Sequence, residues 1–531
     1  MSKDYLIIDC GSTTTKAILF TEEQIIVADS STTVEAPNND VNIGVKNAID
    51  KIKKLSPNLN KFNFLATSSA GGGLQIGVVG FTSDISSFIA DKFILNTGAI
   101  ISITLSADDP DSFAEKVEKL KNSRPDILIF VGGMDSVYSL AIEELISIVK
   151  ESKLKPRYGL DHKLPIIYSG SLKMKEIIQE ELSSNYSLIF TENVLQQVGN
   201  KIIGSKIAEK EIQDAVNQLF LNDVMHHAPG YSVLKSKVNS EILPTPLSVS
   251  LTISNLARIK EKSILAVDIG GATTDIFTAL KEDSFKVQRS VSANYGMSYS
   301  ASSVLKDSGL HFIKTFIESA VTDEEIQAYI WNKTINPTSL PITEIELNIE
   351  KALCIAALRL SYNSHKKIAL TESKFNNFEI IIASGGALSH ARDINSIPWI
   401  LSSGFQIAGI QEILLDTNFM MPHLGVLSQV DSRLATNLLT SKRFDKIGYL
   451  LTVKSKDGLK SKSNIADLYI SNFSKTQIFK DSKQTIEINK PGNYEIKIIP
   501  KSSLIDCGAG FGKEYIQKFN VESNSKVYIS A

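Results

Sequence analysis

Cysteine is scarce: Cys10, Cys354 and Cys507 stand far apart in 531 residues. Three scattered thiols support neither a disulfide framework nor a CxxC metal site, so a reducing compartment, the cytoplasm, is the expected location. Long apolar runs are missing as well. No stretch approaches the roughly 20 residues that a bilayer span requires. Met1-Ser2-Lys3-Asp4 runs directly into Tyr5-Leu6-Ile7-Ile8-Asp9, too short and too acidic for a signal-peptide core, and no membrane partner is expected. Glycine (30) and proline (15) are ordinary and 21% of residues are charged, which excludes collagen-like and disordered classes. Net charge is also small, with 56 Lys and Arg against 58 Asp and Glu. What is present, 43% hydrophobic residues in a chain of this length, fits a soluble globular protein of about three or four domains.

The small net charge conceals a basic end. Ser432 to Ala531 holds 17 Lys and Arg against 9 Asp and Glu, a surplus of 8. These lysines stand singly among alternating apolar residues and form no cluster, so they read as solubilised strand faces rather than a nucleic-acid surface. Docking to an acidic partner is the alternative.

The order of elements points to an α/β protein. Tyr5 to Asp9, Thr14 to Phe20 and Gln24 to Ala28 read as strands, followed by a helix from Asp40 to Leu55 with Val41, Val45, Ala48, Ile49, Ile52 and Leu55 on one face, and a strand from Phe62 to Thr67. From about Gly72 to Asn200, short apolar runs at Gln75 to Gly80, Ile100 to Leu105, Ile127 to Val131, Ile166 to Ser169 and Leu188 to Phe190 alternate with amphipathic segments such as Asp111 to Lys121 and Leu140 to Lys150. Such alternation predicts a parallel, Rossmann-type sheet. Gly132-Gly133 would lie at a strand's carboxyl end, a ligand position in such sheets, although a plain tight turn explains it as well. Helices are expected around Lys206 to Val224 and Leu247 to Lys260.

The opening pattern then returns. Ile264 to Asp275 repeats the order apolar strand, Asp, glycine turn, Thr-rich strand, with Asp9 and Asp268 separated by 259 residues. Two copies predict a duplicated fold with one site between its halves. Glu379 to Ala383 reads as a strand, Ser384-Gly385-Gly386-Ala387 as a glycine turn and Leu388 to Arg392 as the start of a helix. Beyond about Thr440 the pattern alternates with period two, as in Tyr449 to Val453, Thr485 to Ile488 and Tyr494 to Ile499, with turns at Asp457-Gly458 and Pro491-Gly492-Asn493. That predicts a C-terminal all-β module, a small sandwich closing its own core from about residues 435 to 445 onward.

A strand ending in Asp, a glycine turn and a Thr-bearing hairpin suit phosphate: glycine permits close backbone approach, and turn amides with Ser/Thr hydroxyls cradle oxygens. The candidate cradles are Gly11, Ser12, Thr13 and Thr14 in the first copy, and Gly270, Gly271, Ala272, Thr273 and Thr274 in the second. Asp9 and Asp268 are candidate magnesium ligands through water. Lys16 would neutralise the terminal phosphate, and Asp275 would orient the attacking water or the metal shell. Gly385, Gly386 and Ala387 form a third nucleotide element. Other residues have plainer explanations: His226-His227 as a helix terminus, Cys10 as packing in the turn, Ser68 and Ser69 as hydroxyls bonding backbone, and Met420-Met421 with Leu424 and Val426 as core.

IIDCGSTTTK, AVDIGGATTD and IIIASGGALSHA resemble the two phosphate motifs and the adenosine motif of the ATPase fold shared by actin, sugar kinases and heat-shock ATPases. Within that superfamily the chain resembles the MutL-type accessory proteins of adenosylcobalamin-dependent glutamate mutase, which are distinct from mismatch-repair proteins. The matching stretches are Ala66-Thr67-Ser68-Ser69-Ala70-Gly71-Gly72-Gly73-Leu74, Arg124-Pro125-Asp126 leading to Val131-Gly132-Gly133, Thr191-Glu192-Asn193-Val194 and Leu243-Pro244-Thr245-Pro246, in order over about residues 4 to 432. The resemblance implies two actin-like (ribonuclease H-like) halves, residues 1–71 and 263–435, with an α/β insertion at 72–203 and helices returning at 204–262; the β module at 436–531, read from its alternation, is a departure from the family's shortest members. It implies ATP and magnesium as cofactors, and an ATP-driven helper that reactivates a cobalamin-dependent mutase. One departure stands out. Where the family shows Glu-Gly-Asp-Leu-Gly-x-Arg, Ser292-Ala293-Asn294-Tyr295-Gly296-Met297-Ser298 lacks both the Glu and the Arg, which implies slow hydrolysis. A small-molecule kinase of the same fold and a nucleotide-binding interaction protein with little turnover are the competing readings.

Overall fold

Two glycine-turn hairpins, one at the head of each half of the chain, organise the architecture. The computed structural model describes residues 4–11, 14–21, 24–30, 40–57, 61–69, 74–95, 99–135, 138–156, 162–199, 201–220, 229–292, 294–317, 320–337, 339–369, 378–441, 444–456 and 458–531. The chain divides into two units, Met1–Ser248 and Val249–Ala531.

In the first unit, Tyr5–Cys10 (β1), Thr15–Phe20 (β2) and Ile25–Ser30 (β3) form an antiparallel meander, followed by the helix Val41–Leu55 and the strand Asn63–Ser68 (β4). Asp40 caps that helix, accepting from the Asn42 amide at 2.8 Å. Val41, Val45, Ala48 and Ile52 are buried as their spacing predicts. Leu55, expected on the same face, is exposed: it is the last helical residue, where the chain leaves the helix at Ser56. Next come Gln75–Gly80 (β5), Ile100–Ser106 (β6), Ile127–Gly132 (β7), Pro165–Gly170 (β8) and Ser187–Phe190 (β9), alternating with helices. The hairpin Leu195–Val198 (β10) and Lys201–Gly204 (β11), the helices Lys206–Leu219 and Tyr231–Lys237, and the short strand Leu243–Pro244 (β12) complete the unit.

One sheet has the order β12-β4-β1-β2-β3, with β4 parallel to both β1 and β12. The other is wholly parallel, in the order β6-β5-β7-β8-β9, as the alternating pattern predicts. Apolar residues of the two sheets, among them Leu6, Ile8, Ile76 and Ile129, share one core.

The second unit repeats the first topology. Ile264–Ile269 (β13), Thr274–Ala279 (β14) and Val287–Ser292 (β15) form the meander, and Ile380–Ser384 (β16) and Gly409–Leu415 (β17) add in parallel, giving β15-β14-β13-β16-β17. Three antiparallel strands followed by two parallel ones, in both units, constitute the duplication that the repeated motif predicts. The helix Glu344–Ala369 packs on this sheet, and the buried Met420, Met421, Leu424 and Val426 bear out their reading as core. The helix foreseen from Leu388 is instead the single turn Gly386–Ser389, begun inside the glycine turn itself.

The remaining strands are Asp445–Thr452 (β18), Lys454–Ser455 (β19), Asn464–Ile470 (β20), Thr476–Phe479 (β21), Lys483–Ile488 (β22), Gly492–Pro500 (β23), Ile505–Asp506 (β24), Tyr515–Val521 (β25) and Ser525–Ser530 (β26). The tail is all-β, as expected. It does not close on itself: β18 pairs with β17, β26 with β18 and β22 with β26, so one sheet runs through eight strands. This corrects the expectation of an autonomous sandwich. Without β18, β17 would be an edge with a row of unsatisfied backbone groups, and Leu450 and Tyr528 belong to the same apolar core as Ile413 and Phe405. A four-stranded sheet, β21-β20-β23-β25, covers the tail's other core. Among the described residues, no helix is long and apolar enough to cross a membrane.

His365, fully buried on the helix Glu344–Ala369, ties that helix to the meander through Thr278 Oγ1 at 3.0 Å and Ser290 Oγ at 2.9 Å. Burial pushes its imidazole down to about 3. The unfolded chain therefore takes up this proton near pH 6.5 while the folded chain resists it, and stability falls as pH falls from about 6.5, by roughly 1 kcal/mol per pH unit. Denaturant midpoints between pH 7.5 and 5 should drop more steeply for the wild type than for His365→Gln. Equal slopes would remove the assignment.

Candidate functional site

In the first unit, β1 delivers Asp9 opposite Lys16 of β2. Asp9 is buried, and its Oδ1 accepts a hydrogen bond from Thr245 Oγ1 at 2.7 Å. Burial raises the carboxyl above its usual range, while Lys16 and the Thr245 hydroxyl pull it back. The turn closes through Gly11 N donating to Thr14 O at 3.0 Å. A Cβ at Gly11 would stand 2.8 Å from that carbonyl, so the turn requires glycine. Ser12 and Thr13 lie outside the described residues, as do Ala70 to Gly73 and His226-His227.

Thr245 is a site residue that no local pattern marks, although Leu243-Pro244-Thr245-Pro246 is one of the stretches that resemble the family. Leu243–Pro244 pairs alongside Thr67 and Ser68, and Thr67 Oγ1 donates to Leu243 O at 2.7 Å. Ser69 N and Ser68 Oγ in turn donate to Cys10 O at 2.9 and 3.2 Å. Two stretches far apart in sequence thus meet beside Asp9; the Ser68 hydroxyl bonds backbone as expected, whereas Ser69 does so through its own amide. Cys10 is fully buried, and burial together with Asp9 pushes its thiol well up, which fits packing rather than redox chemistry.

In the second unit, Asp268 of β13 stands directly opposite Asp275 of β14. Gly270 N donates to Thr273 O at 2.8 Å, the same closure as in the first hairpin. The segment that lacks the Glu and Arg lies on this turn. Met297 N donates to Gly270 O at 3.0 Å, Ser298 N to Gly271 O at 2.8 Å and Ser300 Oγ to Ala272 O at 2.7 Å, while Thr274 Oγ1 bonds Tyr295 O. A Cβ on Gly296 would meet the Gly271 and Ala272 backbone at 2.4 to 2.6 Å. Because the C=O and the following N–H of a trans peptide point in opposite directions, the amides of Gly271, Ala272 and Thr273 point away from this segment, as an oxyanion cradle requires. The divergent stretch therefore retains a backbone task that its side chains do not reveal. Burial, then Asp268, pushes Asp275 up to about 8, with Thr273 and Arg289 opposing.

The third element adjoins the second. Gly385, at φ +95°, lies so close to β13 that a Cβ would fall 2.3 Å from Ile269 O. Gly385 O accepts from Leu388 N at 3.0 Å and Ser389 N at 2.8 Å. Gly386 is exposed with open space before it, and Ala387 is half-buried.

Gly132 and Gly133 serve close packing. Cβ atoms there would meet Phe81 Cβ at 2.6 Å and Ile142 Cδ1 at 2.7 Å. Asn193 Nδ2 donates to Gly133 O at 2.9 Å, and the Asp126 carboxylate accepts from Gln75 N at 2.9 Å, so the recognised stretches of this sheet latch strands together. No group of three or more His, Cys, Asp or Glu able to hold a metal converges among the described residues.

A family model described as MutL protein matches residues 5–442. The chain is 26% identical over 473 residues to Protein MutL of Clostridium tetanomorphum, covering 80% of this chain and 96% of that protein. Solved structures with similarity include acetone carboxylase in a nucleotide-free state (10% identity, 92% of this chain and 72% of that chain, TM-score 0.37). Another is the activator of 2-hydroxyisocaproyl-CoA dehydratase from Clostridium difficile with bound ADPNP (10% identity, 83% and 97%, TM-score 0.30).

Proposed function

The chain belongs to the MutL protein family, and from that premise we propose that it binds ATP with magnesium, hydrolyses it slowly, and acts as the accessory, reactivating protein of an adenosylcobalamin-dependent mutase. The observation that carries the nucleotide reading is the duplicated hairpin: in each copy an Asp precedes a glycine turn closed by an amide-to-carbonyl bond between the first and fourth residues. In the second copy the turn amides are also held facing one way by the Tyr295 to Ser300 segment.

The residues fit magnesium in one manner. With no converging set of protein ligands among those described, Asp9 and Asp268 would hold the ion through its water, the habit of a cation that dehydrates reluctantly and also binds phosphate oxygens. When bound, the ion supplies positive charge against the phosphates. Lys16 neutralises the terminal phosphate, Asp275 orients the attacking water, and Gly385, Gly386 and Ala387 lie against the adenosine. Slow turnover accords with the missing Glu and Arg between Ser292 and Ser298.

ATP with magnesium should raise the melting temperature of nucleotide-free protein, since a ligand at a hundredfold excess over Kd adds about 2.7 kcal/mol. Asp9→Asn and Asp268→Asn keep side-chain shape and should lower turnover roughly 10- to 100-fold while leaving the unliganded melting point nearly unchanged. Turnover equal to wild type in either variant would sink that residue's role. The partner assignment is tested by ATP-dependent recovery of an inactivated mutase; release of a phosphorylated small product would indicate a kinase instead.

A further inference from the structure

Arg289 enters none of the motifs. It lies on β15 opposite Phe277 of β14, and Phe277 is two residues from Asp275 on the same strand. Since side chains alternate across a strand and directly paired residues share a face, Asp268, Asp275 and Arg289 all project from one face of the meander. The opposite face carries Ser290 and Thr278, which hold His365. Arg289 is only 4% exposed, and its Nε and Nη1 have no hydrogen-bond partner among the described residues. The same holds for the buried Oδ1 of Asp275. A guanidinium and a carboxylate thus stand on one face of a small sheet, each with unused hydrogen-bonding atoms where an unpaired polar group is costly.

We propose that Arg289 is the positioning residue of Asp275, its guanidinium turning an unused donor, with the neighbouring Nη2, onto the carboxylate so that one oxygen is fixed and the other is presented to the nucleotide site. The planar two-nitrogen edge matches a carboxylate in a way a lysine ammonium cannot. Arg289 adds a positive charge beside Asp268 and Asp275, opposing the burial and mutual repulsion that push the Asp275 carboxyl up. This role rests on the proposed ATP reading for its catalytic consequence, but the Arg289 and Asp275 pairing does not.

The test is a double-mutant cycle on the full chain with wild type, Arg289→Gln, Asp275→Asn and the double variant, adding Arg289→Lys as the conservative change. Three quantities are read: the melting point without nucleotide, the ATP·Mg affinity, and the single-turnover hydrolysis rate. Arg289→Gln should lower the rate about 10- to 100-fold while affinity stays within about threefold. Added to Asp275→Asn it should lower the rate no further, because the residue it positions is already gone, and Arg289→Lys should recover part of the loss. Multiplying losses in the double variant, or a change in melting point alone, would overturn the proposal. Should Arg289→Gln fail to fold, Arg289→Lys carries the same comparison. A wild type with no ATP-dependent thermal shift would strike down the functional reading by itself; the nucleotide-free melting points would then decide the pairing, additive changes overturning it and non-additive ones supporting it.

Discussion

A chain ending before Phe444 should be insoluble, or recovered only as aggregate. The cut removes β18, whose antiparallel ladder runs along β17 from Gly409 to Leu415, and so leaves a long strand edge in open solvent. It also strips Leu450 and Tyr528 from the core that holds Ile413, Leu415 and Phe405. Two large apolar side chains contribute about 3 to 6 kcal/mol at ordinary burial values, a large share of the stability of one unit. The unpaired edge adds a template for intermolecular pairing. Soluble yield, gel filtration and thermal unfolding of the truncated chain check this. A monodisperse product melting at the full-length temperature would show that the tail folds as an independent module after all.

Gly385→Val should cost about 3 to 5 kcal/mol, from left-handed backbone strain and overpacking together. The residue sits at φ +95°, and its Cβ would fall within 2.3 to 2.6 Å of the Ile269 backbone in the central strand β13. The clash has little room to relax, because the Ile269 atoms are main chain at the end of a strand paired with β14 and β16, and not the far end of a flexible side chain. The melting point should fall by roughly 10 °C, and any loss of nucleotide binding by this variant reports the damaged fold. Gly386 separates the two effects, since nothing lies within 4 Å of a Cβ built there. Gly386→Ala should keep the melting temperature to within a few degrees at helix-propensity values and weaken ATP binding if this turn lies against the adenosine. A full-stability Gly385→Val protein would refute the close approach to β13.

Much of the scaffold is legible in local pattern. The five short apolar runs between Gln75 and Phe190 all become strands of one parallel sheet, within a residue or two of their expected ends. The two Asp and glycine hairpins become equivalent turns, because glycine at positions 11 and 270 and the alternation on either side are enough to specify a hairpin. Cys10, Met420 and Met421 are buried where their apolar surroundings place them. Leu55 fails the same rule, since helical spacing says which face a residue shares but not where the supporting sheet stops.

The sequence by itself determined the type of each element, the face it buries and the duplication of its Asp and glycine turns, because period, glycine and capping residues act within a few positions along the chain. The tertiary structure alone decided which elements meet. Thr245 reaches Asp9 across 236 residues, the Tyr295 to Ser300 segment ties down the carbonyls of the second glycine turn with its backbone amides and a serine hydroxyl, Arg289 shares a face with Asp275 through strand register, and the β tail takes up the open edge of β17. Each of these depends on satisfying buried polar groups and strand edges over the whole chain. Backbone donors and acceptors are the same at nearly every residue, so local pattern carries no record of which distant partner will satisfy them.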